Sequence, residues 1–162
     1  KVAGYDKGNS PFEYMGPDIK GKKIAFTTTN GTLAIDKAKG ASSLLIGSFL
    51  NISSVVKRLK ETSNSILILC AGWKGRVNLE DTLFAGAVIE KMNGAAVPDD
   101  DAPLAALHLY SEAKCNLVNY LNASSHVKRL NRLNIHKDIG FCLTADQYGI
   151  VPELVNQTLV LK

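Results

Sequence analysis

The sequence predicts an α/β fold with a mostly parallel sheet flanked by helices. Three observations carry that expectation. Short β-branched or apolar runs alternate with helical periods along the chain. The run SILILC is apolar throughout, the pattern of a strand buried on both faces of a parallel sheet. The stretch from Leu79 to Met92 carries an apolar stripe (Leu79, Leu83, Phe84, Ala87, Val88) at helical spacing and stops at Asn93-Gly94.

Taken in order, residues 1–21 read as a surface segment with turns at GNSP and GPD. Ile24 to Thr28 predicts the first strand, broken at Asn30-Gly31, and Thr32 to Lys39 a short helix ended by Gly40. Ser43 to Ser48 predicts the second strand. Asn51 is placed to cap a helix over Ile52 to Glu61, with Ile52, Val55, Val56 and Leu59 on one face. Ser65 to Cys70 predicts the third strand, followed by the Leu79–Met92 helix. Two or three further helices fill Asp99 to Leu133, then Ile139 to Leu143 predicts a fourth strand and Thr158 to Leu161 a fifth.

Composition narrows the class. A chain of 162 residues, 46% hydrophobic and 21% charged, can bury a real core and is neither a disulfide-dense miniprotein nor mainly disordered. No apolar run approaches the roughly 18 to 20 residues of a membrane span. The net charge of +4 is mild and spread out, and aromatics are 7%, which argues against a nucleic-acid face. Three cysteines, Cys70, Cys115 and Cys142, form no CxxC pair and read as reduced cytoplasmic thiols. The opening KVAGYDKGNSP is polar, unlike a signal peptide, and does not begin with Met. The expectation is one domain, or most of one.

In open α/β sheets ligands sit where loops leave the carboxyl ends of strands. That rule selects Thr27–Thr32, Cys70–Asp81 and Cys142–Tyr148. In TTTNGT, the hydroxyls and carboxamide of Thr29, Asn30 and Thr32, with Gly31 at a helix start, could hold a phosphate or carboxylate. The competing reading is an ordinary turn capped by Thr29 or Asn30, with Gly31 at positive φ. In CAGWKGRVNLED, Glu80 and Asp81 offer hard oxygens for Mg²⁺, and equally suit the first turn of a helix capped by Asn78. Gly72 and Gly75 permit close backbone approach. Cys70 and Arg76 have the spacing of a cysteine phosphatase, but Leu69 and Val77 stand where those enzymes carry His and Ser or Thr. In the third loop Asp146 is a candidate ligand or a solvated acid. His126 reads as a surface or capping residue, and Asp99-Asp100-Asp101 as an acidic helix start.

The ordered phrases YDKGNSPFEY, TTTNGT, GSFLN, CAGWKGRVNLEDTLFAGAVIE, SSHVKRL and DIGFCLTAD followed by VP resemble the 2-phosphosulfolactate phosphatase family. They nearly span the chain. The resemblance implies a Mg²⁺-dependent hydrolysis of 2-phosphosulfolactate, or a related phosphorylated sulfonate or acid, to 3-sulfolactate and phosphate. In methanogens that step belongs to coenzyme M biosynthesis. It further implies Glu80 and Asp81 as metal or acid/base residues, with Cys70 also catalytic and Asp146 a further metal ligand. Thr29, Asn30, Gly31, Thr32 and Gly72 become substrate-loop residues, and Lys74 or Arg76 would bind the sulfonate or carboxylate. A homodimer is implied too. Family members begin with a further N-terminal portion, so the chain is expected to be the C-terminal majority of a longer one. The competing functions are a cysteine phosphatase built on Cys70 and Arg76, and a non-catalytic small-molecule-binding domain.

Overall fold

The computed structural model describes residues 3–132 and 136–161, apart from the side chains at 126, 130–132 and 136. Helix α3 (Leu79–Met92) is the centre of the packing. Its Leu83, Ala85, Gly86, Ala87, Val88 and Met92 are all buried, more than a single amphipathic stripe would bury. Helix α2 (Ile52–Lys60) lies against it through Ile52, Val55 and Val56, and α4 (Asp101–Ala113) packs along it through Ala106 and Ala113. Gly86 makes the α3–α4 approach possible, since a Cβ there would collide with the Ala106 carbonyl and lie 2.6 Å from Tyr110 Cβ. Leu83 and Leu121 are 0% exposed at the middle of the core. Burying such a side chain contributes about 1.5–3 kcal/mol.

Helices α1 (Gly31–Ala38), α5 (Leu117–Leu121), α6 (Ser125–Arg132) and α7 (His136–Cys142) complete the helical set. The ends follow local chemistry. Asn78 Oδ1 accepts the Glu80 N–H and caps α3, while Asn93 closes it in the left-handed region at φ 48°. Asp100 caps α4 through the Ala102 N–H, so the acidic triplet acts as a helix start. Ser124 Oγ accepts the Val127 N–H at the head of α6.

The expected α/β fold is overturned. Among the described residues the one ladder is an antiparallel hairpin of β1 (Pro152–Val155) and β2 (Thr158–Leu161), and there is no parallel sheet. Asn156 and Gln157 both take positive φ, the requirement of a two-residue hairpin turn matched to strand twist. The fifth predicted strand is therefore present as β2, in another setting. Ser43–Ser48 makes one antiparallel bridge, Leu45 with Glu153. The first and third runs carry no regular secondary structure and form no ladder. In the third, Ile66 and Ile68 pack on the core while Leu67 and Leu69 face outward, Leu67 being 84% exposed. An apolar run states which side chains are suited to burial; it does not supply the neighbouring backbone a sheet needs. The fourth run is helical. Ile139 and Leu143 both pack on the core, and the Leu143 N–H donates to the Ile139 carbonyl at 3.2 Å, the i→i+4 bond of a helical turn.

The helical spans hold more closely: 31–38 against the predicted 32–39, 52–60 against 52–61, and 79–92 as expected. Of the predicted Asp99–Leu133 stretch, Leu133 lies outside the described residues. No described helix is long and apolar enough to cross a membrane.

Candidate functional site

Without a parallel sheet, the loops converge for other reasons. The TTTNGT turn enters α1, where Thr28, not Thr29 or Asn30, supplies the cap. Its Oγ1 accepts the Thr32 N–H at 3.2 Å, and its carbonyl accepts the Thr32 hydroxyl at 2.6 Å. Gly31 is absent from the positive-φ residues, contrary to the turn reading. Asn30 is left to reach outward, and its Oδ1 accepts the Lys74 main-chain N–H at 3.3 Å. The first loop is thereby fastened to the second.

The second loop folds back on itself. Trp73 and Arg76 exchange backbone hydrogen bonds of 2.9 and 3.0 Å, with Lys74 and Gly75 both at positive φ. Gly72 is at φ 65°, and a Cβ on it would lie 2.6 Å from the Arg76 carbonyl oxygen, so both conformation and space require glycine. Its N–H donates to Asp81 Oδ2 at 2.8 Å, tying the loop to the first turn of α3.

Glu80 and Asp81 stand in that first turn. Glu80 Oε1 accepts the Ser124 hydroxyl at 3.2 Å, bringing the head of α6 to the head of α3. Glu80 Oε2 is buried with no hydrogen-bond partner. A buried carboxylate oxygen of this kind fits a cation, because an unmet charge away from water is costly. Magnesium is commonly held by one or two carboxylates, with waters and substrate phosphate completing its shell. Glu80 therefore fits Mg²⁺ through Oε2, with Asp81 the next residue on the same helical turn, although no cluster of three His, Cys, Asp or Glu side chains occurs among the described residues.

Asp146 lies elsewhere. It accepts the Ser53 N–H at 2.7 Å and the Ser53 hydroxyl at 2.6 Å, so it caps α2 from across the chain. Partial desolvation raises its pKa, but the two Ser53 hydrogen bonds and nearby Lys91 outweigh that and hold it below the ordinary Asp value. Asn51, the cap expected from sequence, accepts the Ser48 N–H and donates to the Ile46 and Ile150 carbonyls.

Cys70 opens the second loop. Desolvation, and then the charge of Asp81, push its thiol pKa up. A nucleophilic thiolate needs the opposite shift. Thr29, Lys74 and Arg76 are exposed, while Gly31, Thr32 and Gly72 are partly buried.

Trp73 and Arg129 emerge only from the tertiary structure. The Arg129 guanidinium lies 4.7 Å from the Trp73 ring centroid, and Lys74 Nζ 4.5 Å from it. Arg129 belongs to the SSHVKRL phrase, where sequence reasoning had considered His126, whose side chain lies outside those described. The available signal was an arginine four residues after Ser125, on one face of a helix, together with the chain's one tryptophan.

Loops and helix starts that carry carboxylate, hydroxyl and cationic side chains suit the handling of phosphorylated anions. The family model described as 2-phosphosulpholactate phosphatase matches residues 1–157, and the chain belongs to that family. A probable 2-phosphosulfolactate phosphatase of Caldanaerobacter subterraneus subsp. tengcongensis is 40% identical over 157 residues, covering 96% of this chain and 65% of the relative. Its counterparts in Thermotoga petrophila and Thermotoga maritima are each 41% identical over 162 residues, covering the whole chain and 70% of theirs. The chain spans about two thirds of the length of these curated relatives.

Proposed function

We propose that the protein hydrolyses the phosphomonoester of 2-phosphosulfolactate, or of a closely related phosphorylated sulfonate, with Mg²⁺ held by Glu80 and Asp81. The observation that carries this reading is the buried, unpartnered Glu80 Oε2 on the first turn of α3, next to Asp81, whose Oδ2 holds the Gly72 N–H of the loop that Asn30 fastens. Family membership supplies the substrate class. When bound, Mg²⁺ would offset the charge of the phosphoryl oxygens during transfer.

The chain's own residues do the positioning. Ser124 fixes one oxygen of Glu80, so the other is presented in a set direction. The Gly72 N–H does the same for Asp81. The Asn30–Lys74 bond ties the start of α1 to the loop that Asp81 anchors, and in this reading the N–H of Gly31 and the hydroxyl of Thr29 orient the phosphate. Lys74 and Arg76 add positive charge at the rim. Asp146, committed to Ser53, serves the scaffold. The proposal includes a cytoplasmic setting, supported by three cysteines without a CxxC pair, and a homodimer, supported by the resemblance alone.

The test is phosphate release from 2-phosphosulfolactate with and without chelator, in wild type, Glu80→Gln and Asp81→Asn. Loss of turnover in chelator and a fall of at least about 100-fold in each variant are expected, the range seen when a group acting on the transition state is removed. Turnover indifferent to chelator and to both substitutions would overturn the reading. Tight binding of 3-sulfolactate without phosphate release under any metal would instead identify a binding module.

A further inference from the structure

Ser124 is buried at the junction of α5 and α6, where its main chain and its side chain are both engaged. Its N–H donates to the Leu121 carbonyl at 2.8 Å, and its own carbonyl accepts the Lys128 N–H at 3.1 Å. Its hydroxyl accepts the Val127 N–H at 3.1 Å while donating to Glu80 Oε1 at 3.2 Å. One side chain therefore starts α6 and also holds one oxygen of the carboxylate whose other oxygen, Oε2, meets no donor. We propose that occupancy of Glu80 by a divalent cation is coupled through Ser124 to the folding of α6, so that binding there closes this helix onto the head of α3. The inference rests on the proposed cation site at Glu80 and deepens it by naming the element that the cation orders.

The composition of α6 suits local opening. A helix of eight residues is marginal on its own. Of its described side chains Val127 alone joins the hydrophobic core, while Ser125 and Lys128 are exposed. Polar ties do the rest: the Ser124 hydroxyl on Glu80, and the Arg129 guanidinium against the Trp73 ring. Both lead to the first turn of α3, since Trp73 follows Gly72, whose N–H donates to Asp81 Oδ2. A segment with few buried apolar contacts opens at a lower cost than the core does. With α6 closed, Glu80 Oε2 is screened from solvent and has no donor, which is costly for an ionised oxygen. Glu80 as a whole is only partly buried, so its carboxylate turns to water once Ser124 lets go. A cation on Oε2 satisfies that oxygen with the helix in place and removes the gain from opening. That is a difference in affinity between two states, the condition for a ligand to shift their populations.

Hydrogen–deuterium exchange reads the helix at the Val127 and Lys128 amides, both bonded to Ser124, with Val55 and Val56 of α2 as an internal reference. In millimolar Mg²⁺ against chelator, at matched ionic strength, exchange in α6 should slow at least about 5-fold while α2 is unchanged. Glu80→Gln keeps an acceptor for Ser124 and loses the charge, and should abolish the effect of Mg²⁺. Ser124→Ala should exchange faster in chelator and respond to Mg²⁺ by less than about 2-fold; by reciprocity it should also weaken Mg²⁺ binding in calorimetry. Were Ser124 a helix cap only, Ser124→Ala would speed exchange yet keep the wild-type factor of protection by Mg²⁺, and the coupling would fall. Exchange indifferent to Mg²⁺, slowed alike in α2 and α6, or still slowed in Glu80→Gln overturns it as well. Circular dichroism identifies a Ser124→Ala protein that has not folded, and Glu80→Gln then decides the matter. Exchange is read without substrate, so the outcome is separate from turnover. Chelator-sensitive phosphate release with no protection of α6 keeps the proposed function and removes the coupling. Protection of α6 in a protein that releases no phosphate does the reverse.

Discussion

The carboxamide oxygen of Asn30 accepts the main-chain N–H of Lys74 at 3.3 Å, fastening together two loops that lie 44 residues apart. One loop enters α1 and the other leads to α3, so this bond sets where the backbone donors of the first stand relative to Glu80 and Asp81 of the second. Asn30→Ala should therefore act on substrate more than on folding. The expected result is a KM raised about 5-fold, equivalent to about 1 kcal/mol, with a melting temperature close to wild type. Steady-state kinetics and a thermal melt separate these. A large stability loss with unchanged KM would show the bond to be scaffold only.

Gly86 tests the packing. Its missing side chain lets α4 lie on α3, and Gly86→Ala would drive a methyl into the Ala106 carbonyl and Tyr110. Overpacking of this kind costs about 1–3 kcal/mol, offset only in part by alanine's better helix propensity. Urea denaturation should show a midpoint shifted down with little change in slope.

Asp146 gives a pH dependence whose sign is fixed. Its pKa is lowered in the folded protein, so its contribution is present above the unfolded value near 3.8 and is lost as pH falls through the folded one. Asp146→Asn should cost about 0.5 kcal/mol at pH 7, since the amide oxygen can still accept the Ser53 N–H and only the negative charge at the head of α2 is lost. Measured by denaturation, the difference between variant and wild type should shrink from pH 5 to pH 3. A difference that stays constant over that interval would mean the charge is not what stabilises α2.

Cys70 discriminates between chemistries. Desolvation and Asp81 hold its thiol protonated near neutrality, so alkylation by iodoacetamide should be slow at pH 7 and accelerate above pH 9. Cys70→Ser should retain most phosphate release. Rapid alkylation at pH 7 together with inactivation by that substitution would restore the cysteine mechanism.

Much of the helical chemistry was legible in the chain. Leu79–Met92 could be bounded because its cap Asn78, its apolar stripe and its Asn93-Gly94 stop are all local signals, and local signals survive whatever the rest of the molecule does. The family was legible for a related reason, since ordered phrases do not depend on knowing the fold. Sheet pairing was not legible. Whether Ser65–Cys70 becomes a strand depends on a second backbone lying alongside, and side-chain pattern carries no information about that partner. Ile139–Leu143 failed differently: a short apolar run fits either period, and the backbone bond from the Leu143 N–H to the Ile139 carbonyl marks it as helical. The site divides along the same line. Sequence alone determined which loops carry carboxylates, hydroxyls and cations. Only the tertiary structure decided that Asn30 meets Lys74, that Asp146 turns away to Ser53, and that Arg129 crosses to Trp73, because each is a contact between segments whose separation in sequence says nothing of their distance in space.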